Sequence, residues 1–399
     1  MDDKHTRGRG PTLAKDMNRK LVYATIKDRR ETTRSELAHL LGLTKNTINS
    51  IVDEMVAGGY VRETGLQPQH GAGRRAVGIE LYAARRQAIG IQVAGHELQA
   101  VVTDLYASPL KTYAFPLRDR TPAGMSDTIA YAVEQIAAAW PKVGLLGVGV
   151  GVPALLNPSR ERVVISSHLG WREVDLLPML QDRMELPVIL DNAVKMAAIG
   201  ELWHGIGKET RHLAYCSFGA GVGCGIVVGG GIVRGEAGAA GELGHIVVEP
   251  DGPPCSCGNR GCLEAVAGLP SLFARLAPHT GIPAERMSAA QLAELMRQGN
   301  ADVAQELRRV GAAIGQALAS VVNLLNPKVI VCDGPLMEAG ETLLPIIASR
   351  LKEKALSYHA SQVILVKSAL YPLTGAIGAA AAVIADFEKR DEPRAPMEF

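Results

Sequence analysis

Apolar positions recur at helical spacing up to about residue 86 and then give way to strands alternating with helices. Residues 17–31 place Leu21, Val22, Ala24, Thr25 and Ile26 on one side of a predicted helix. The next thirty residues read as helix, tight turn, helix. Thr33 is a candidate N-cap with Glu36 at capping-box spacing, and Leu37, Ala38, Leu40 and Leu41 form the first apolar face. Gly42 relaxes the turn, Leu43 plugs the angle between the helices, and Thr44 caps a second helix that turns Ile48, Ile51, Val52 and Met55 inward. Two short strands follow, joined by a loop that carries Arg74 and Arg75.

From residue 88 the sequence predicts an α/β body. Residues 89–108 read as two strands and a turn, 143–156 as a buried strand and loop, and 188–192 as a strand running into a helix over 193–205. A Gly-rich hairpin spans 213–235. A long helix over 301–325 precedes a strand at 328–334, and an alanine-rich segment at 376–389 reads as a closing helix.

Charge sharpens this division. Residues 1–86 carry 16 Lys and Arg against 10 Asp and Glu, whereas the remainder carries 26 against 31. A basic head on an acidic body points to DNA, and the helix pair supplies the means. Lys45, Asn46, Thr47, Asn49 and Ser50 crowd the exposed start of the second helix beside Thr44, where a recognition helix meets base edges and phosphates. Arg34 and the wing arginines Arg74 and Arg75 are placed for phosphates or a minor groove. No run approaches a membrane span, the N-terminus lacks an apolar signal core, and six cysteines fit a reducing cytoplasm.

The densest chemistry lies in residues 241–264, GELGHIVVEPDGPPCSCGNRGCLE. His245, Cys255, Cys257 and Cys262 fall within eighteen residues among glycines and prolines that let a loop fold back. Three thiols and an imidazole suit a closed tetrahedral zinc site; reduced core cysteines or a disulfide pair are the alternatives.

GELGH followed by CSCGNRGCLE resembles the signature of the ROK family, a group of sugar kinases and sugar-responsive repressors, and the resemblance extends over nearly the whole chain. It implies that His245, Cys255, Cys257 and Cys262 hold zinc, and that Glu242, His245, Glu264 and Asn192 face a bound sugar. It implies a two-lobed, actin-like (ribonuclease H-like) body below a winged helix-turn-helix. The expected divisions are 1–82 for the DNA-binding head, 83–205 for a first lobe completed by the helix at 374–390, and 206–373 for a second lobe holding the zinc loop.

Measured against the family's kinases, the chain departs at each catalytic motif. The first phosphate loop, roughly D-x-G-G-T, here reads Gln92, Val93, Ala94, Gly95, His96. The second, resembling G-T-G-x-G, carries Ala220 in place of the hydroxyl, and Cys332 and Asp333 stand where consecutive glycines are favoured. In the E-N-D-A-N motif the catalytic aspartate has become Ala193, and Lys195 replaces the last asparagine. Losing a general base lowers the rate by roughly 10²–10⁴-fold. Asp191 lies two residues off, roughly 6–7 Å along a strand. His168 stands where the family carries asparagine, and Lys195 reads as a solvated helix face or a partner for a phosphate or acid.

The expectation is therefore a cytoplasmic DNA-binding regulator, a repressor of carbohydrate-utilisation genes, with no enzymatic activity. Its partners would be operator DNA and a sugar or sugar-phosphate effector, and it would assemble as a homodimer or homotetramer. The competing readings are a sugar kinase with a regulatory head, a regulator controlled by a protein partner, and an activator.

Overall fold

Val22 and Ile26, one helical turn apart, are fully buried and anchor the N-terminal segment, while Leu21, just before Val22, is exposed to solvent. The computed structural model describes residues 11–66, 76–140 and 144–390. Helix α1 (Pro11–Arg29) leads through strand β1 (Glu31–Thr33) to α2 (Arg34–Leu41) and α3 (Lys45–Ala57). Thr33 accepts the Glu36 N–H and the Glu36 carboxylate accepts the Thr33 N–H, completing the capping box. Gly42 turns the chain at φ 62°, and Thr44 caps α3 by accepting the Thr47 N–H. Ile48, Ile51, Val52 and Met55 pack with Leu37, whereas Leu40, expected in the core, is exposed. Strands β2 (Val61–Leu66) and β3 (Val77–Leu81) pair antiparallel. β1 joins the outer side of β3 as a third strand. Its three residues are too few for a period-two pattern to register.

The body repeats one topology twice. In its first half, β4 (Gln87–Ala94), β5 (Glu97–Thr103) and β6 (Pro109–Pro116) form an antiparallel meander. Helix α4 (Pro122–Ala138) crosses to β7 (Leu145–Val152), parallel to β4. A small sheet of β8 (Leu155–Leu156), β9 (Val163–Ser166) and β10 (Trp171–Val174) follows, then α5 (Leu176–Gln181), β11 (Val188–Asn192) and α6 (Ala193–Trp203). The five-stranded order is β6-β5-β4-β7-β11.

The second half builds β12 (Leu213–Phe218), β13 (Val222–Val228) and β14 (Gly231–Ile232) as a meander. Helices α7 (Leu263–Ala267), α8 (Leu269–Thr280), α9 (Ala289–Arg297) and α10 (Ala301–Leu325) precede β15 (Val329–Asp333). Then come α11 (Gly340–Lys354), α12 (Ser357–Ala360), β16 (Ile364–Lys367) and α13 (Thr374–Arg390), giving the order β14-β13-β12-β15-β16.

The last helix of each half packs on the sheet of the other. α6 lies on β12 and β13, α13 on β4 and β7, and the two helices pack against each other. Gly200 and Gly378 make their crossing possible, since a Cβ at either would run into backbone of the opposite helix. One face of the first sheet is thus sealed by Ala376, Ile377 and Ala380 of α13, and one face of the second by Ala197 and Ala198 of α6. No helix among the described residues is long and apolar enough to cross a membrane.

Candidate functional site

The body carries its polar chemistry where its halves meet. Asn192 ends β11 and caps α6, accepting the N–H groups of Val194 and Lys195 and donating to the Ala154 carbonyl at 2.9 Å. Ala193, the first residue of α6, is buried with no proton acceptor. Asp191 does not replace it, because its carboxylate is 2% exposed and paired with Arg234 at 2.6 Å. Lys195 departs from the solvated-face expectation. It is 4% exposed, its ammonium donates to the Gly238 carbonyl at 2.7 Å, and burial lowers its pKa against the opposing pull of Asp191 and Glu242. The acceptor is 43 residues away in the chain, so no periodicity signals it.

Glu242 and His245 flank a 3₁₀ turn, with the His245 Nε2 4.0 Å from the Glu242 carboxylate. The other ring nitrogen, Nδ1, lies 3.6 Å from the Cys255 Sγ, and the Cys257 and Cys262 sulfurs are 3.7 Å apart. The four candidate ligand atoms of His245, Cys255, Cys257 and Cys262 all fall within 4.8 Å of one another, so the cluster can hold a metal ion. Its thiols are free. The Asn259 N–H draws the Cys257 pKa down, whereas burial pushes that of Cys262 up to about 12. The loop between them is tied by two isolated bridges, Val247 to Cys262 and Pro254 to Arg260.

Glu264 accepts the Val222 N–H at 2.9 Å. A side chain at Gly221 would collide with the His168 imidazole and crowd the Glu264 carboxylate, so His168 of the first half and Glu264 of the second both lie close to Gly221. The structure thus brings Glu242 to His245, and sets both His168 and Glu264 beside Gly221. Asn192 sits at the end of the first sheet, one helical turn from Lys195. At the end of the second sheet, the buried Asp333 accepts from Tyr215 (2.7 Å), Thr374 (2.6 Å) and the Gly334 N–H (2.6 Å). Asp333, which stands where the family's kinases favour glycine, thus organises a network that no local pattern signals, since its side-chain partners lie 118 and 41 residues away.

In the head, Thr44, Lys45, Asn46, Asn49 and Ser50 are exposed along the start of α3, with Thr47 half-buried. Arg34 is engaged: it pairs with Asp53 at 2.7 Å and Glu63 at 3.1 Å, and donates to the Asn49 carbonyl. It therefore braces α3 against the wing. Arg74 and Arg75 lie outside the described residues.

Head and body share a joint that sequence reading did not find. Glu388 of α13 accepts from the Tyr23 hydroxyl (3.1 Å) and the Lys27 ammonium (2.6 Å) of α1. Phe387 stacks on Tyr60, Arg86 covers Tyr60, and Lys27 sits over the Trp203 ring at the end of α6.

Residues 88–386 match the ROK family. The chain is 27% identical over 378 residues to the xylose repressor of Bacillus spizizenii, covering 94% of this chain and 97% of that one. Among solved structures, a ROK family transcriptional regulator, a homologue of the Escherichia coli MLC protein, superposes with a TM-score of 0.80 at 25% identity. That match covers 94% of this chain and 97% of the other. A ROK family glucokinase from Streptomyces griseus, solved with glucose and AMPPNP, superposes with a TM-score of 0.66 at 26% identity. It covers 74% of this chain and 98% of its own.

Proposed function

The chain belongs to the ROK family, and from that membership we propose that it is a DNA-binding transcriptional repressor whose kinase-like body senses a carbohydrate. The observation that carries the reading is the pairing of a capped, exposed helix α3 with a body whose base position is Ala193. Lys45, Asn46, Asn49 and Ser50 have the donors and acceptors to read base edges, with Thr44 and Thr47 on the adjacent phosphates. Arg34 holds α3 in register, and Arg74 and Arg75 contact the backbone from the wing. Two heads of an oligomer on two half-sites multiply affinity. The functional divisions are a head over 1–82, a first lobe over 83–205 closed by 374–390, and a second lobe over 206–373.

Zinc is the metal we assign to the cysteine cluster. A tetrahedron with Zn–S of about 2.3 Å and Zn–N of about 2.0 Å has S–S edges of about 3.8 Å and S–N edges of about 3.5 Å. The observed 3.7 and 3.6 Å spacings fit that donor set. Bound there, zinc would act as a cross-link for a loop with little ladder of its own. His245 would give Nδ1 to the metal and turn Nε2, beside Glu242, toward the hydroxyls of the effector, with Glu264 and Asn192 completing the contacts. A carbohydrate that fits one arrangement of the halves better than another shifts the population toward it.

The test is binding of the full chain to DNA from upstream of its own gene, with neutral and phosphorylated sugars titrated in. Release by one sugar, abolished in Glu242→Ala, is the expected result. ATP-dependent phosphorylation of any sugar by the wild type would overturn the reading. Tight DNA binding that no sugar moves would remove the sensor and leave the repressor.

A further inference from the structure

A cavity of about 80 Å³ opens between the two halves, next to the residues assigned to the effector but not made from them alone. Asn157, Arg160, Asp191, Asn192 and Lys195 line it from the first half, and Arg234 from the second. Three cations thus face one lining carboxylate, and Glu242 is the further acid whose charge reaches Lys195. Asp191 neutralises part of this charge, with Arg234 at 2.6 Å and Arg160 at 3.8 Å from the same oxygen.

The site is built. Lys195 is more than nine-tenths buried, and its bond to Gly238 uses one of the three donors of an ammonium. Arg160 is held in the left-handed region at φ 63°, which a non-glycine residue rarely adopts without reason. Asn157 fixes that turn, its side chain accepting the N–H groups of Glu161 (3.0 Å) and Arg162 (3.1 Å). This hairpin turn between β8 and β9 carries one guanidinium to a cavity already lined by a second and by a buried ammonium. The volume admits several waters, and hence a phosphate or carboxylate group.

We propose that this cavity is an anion subsite that takes the acidic group, phosphate ester or carboxylate, of a carbohydrate effector. The inference rests on the sensor reading above and narrows its ligand to an acidic sugar. Guanidinium forks and a buried ammonium bind oxyanions through short, charge-assisted bonds. Because Arg160 and Lys195 belong to one half and Arg234 to the other, the anion bridges them and favours the arrangement in which they are close.

Calorimetric titration of the full chain at low salt tests this. The probes are glucose, xylose and N-acetylglucosamine, each beside its phosphate ester, with glucuronate and inorganic phosphate. One acidic sugar is expected to bind at least about tenfold more tightly than its neutral counterpart, the scale of a hydrogen bond to a charged group. Arg160→Gln, at a half-exposed position, should erase that preference and leave neutral-sugar binding unchanged. Arg234→Lys keeps the partner of Asp191 and should retain most of it; unchanged melting temperatures establish that both variants fold. The relative affinities of phosphate ester and glucuronate name the acid. Equal binding of neutral and acidic forms, or a preference that survives Arg160→Gln, overturns the subsite and leaves the sensor standing. Phosphate binding lost in Arg160→Gln, with no sugar bound, supports the subsite and overturns the carbohydrate reading. No binding by any probe overturns both.

Discussion

Glu201 is 1% exposed, on the face of α6 turned toward Ser368 and Thr374. Burial raises its pKa, while bonds from Ser368 and the Ile206 N–H pull the other way and the charge of Asp333 adds to the rise. A carboxyl whose folded pKa lies above its unfolded value contributes fully below the unfolded pKa, and the contribution is lost as pH rises through the folded one. Glu201→Gln, which removes the charge and keeps the shape, should therefore gain thermal stability over the wild type at pH 8 and lose that advantage at pH 5. An offset in melting temperature identical at both pH values would contradict this account. The same residue scale shows where sequence reading fails. Lys195 and Glu201 both lie on α6, which carries few polar residues, and their partners come from distant loops. Leu21 and Leu40 sit beside inward positions but miss the core by a fraction of a turn.

At the scale of elements, the pieces most legible in the sequence are those with their own signals. The caps Thr33 and Thr44 and the inward stripe of α3 are local features, and each is present as read. The metal loop was legible for another reason, since its ligands are concentrated in one short segment. Strands β1, β8, β9 and β10 are two to four residues long, and tertiary contact rather than propensity makes them strands. Between His245 and Cys262 the loop has two isolated bridges and scattered backbone bonds, such as that from the Cys255 N–H to the Asn259 carbonyl, in place of a regular ladder. Metal removal by a chelator, or Cys255→Ser, should lower stability by several kcal/mol, in keeping with structural zinc, and open residues 246–261 to protease. Unchanged cleavage and melting after verified metal loss would show that the loop holds itself. The exposed side of α3 should be unaffected, because the helix packs against α1, α2 and β2, far along the chain from the loop.

Over the whole molecule, α6 and α13 connect the inter-half cleft to the N-terminal head. α6 starts just after its cap Asn192 and ends at Trp203 beneath Lys27, and α13 runs from Thr374, bonded to Asp333, to Phe387 and Glu388 against the head. A change in the angle between the halves therefore moves the helices on which the head rests. Phe387→Ala removes a stacked pair worth about 0.5–1.5 kcal/mol beyond its buried area. It should leave effector affinity intact while reducing the effect of effector on DNA binding, read by fluorescence anisotropy with and without ligand. Full effector response in that variant would place the coupling elsewhere. None of this joint was legible in the sequence, because Tyr23, Tyr60 and Phe387 read as ordinary amphipathic positions until the fold brings them together.

The exchange of helices between the halves also governs the order in which the protein can assemble on the ribosome. Chains fold N-terminal parts first as they emerge, at about 5–20 residues per second. The strands β4 to β11 are made early, yet the face covered by Ala376, Ile377 and Ala380 stays open until α13 has been synthesised. The head waits as well, since Tyr60 and Tyr23 find Phe387 and Glu388 only then. The nascent chain would thus have helix α3 long before the joint that ties the head to α13, and both halves of the body would be completed together, at the end of synthesis.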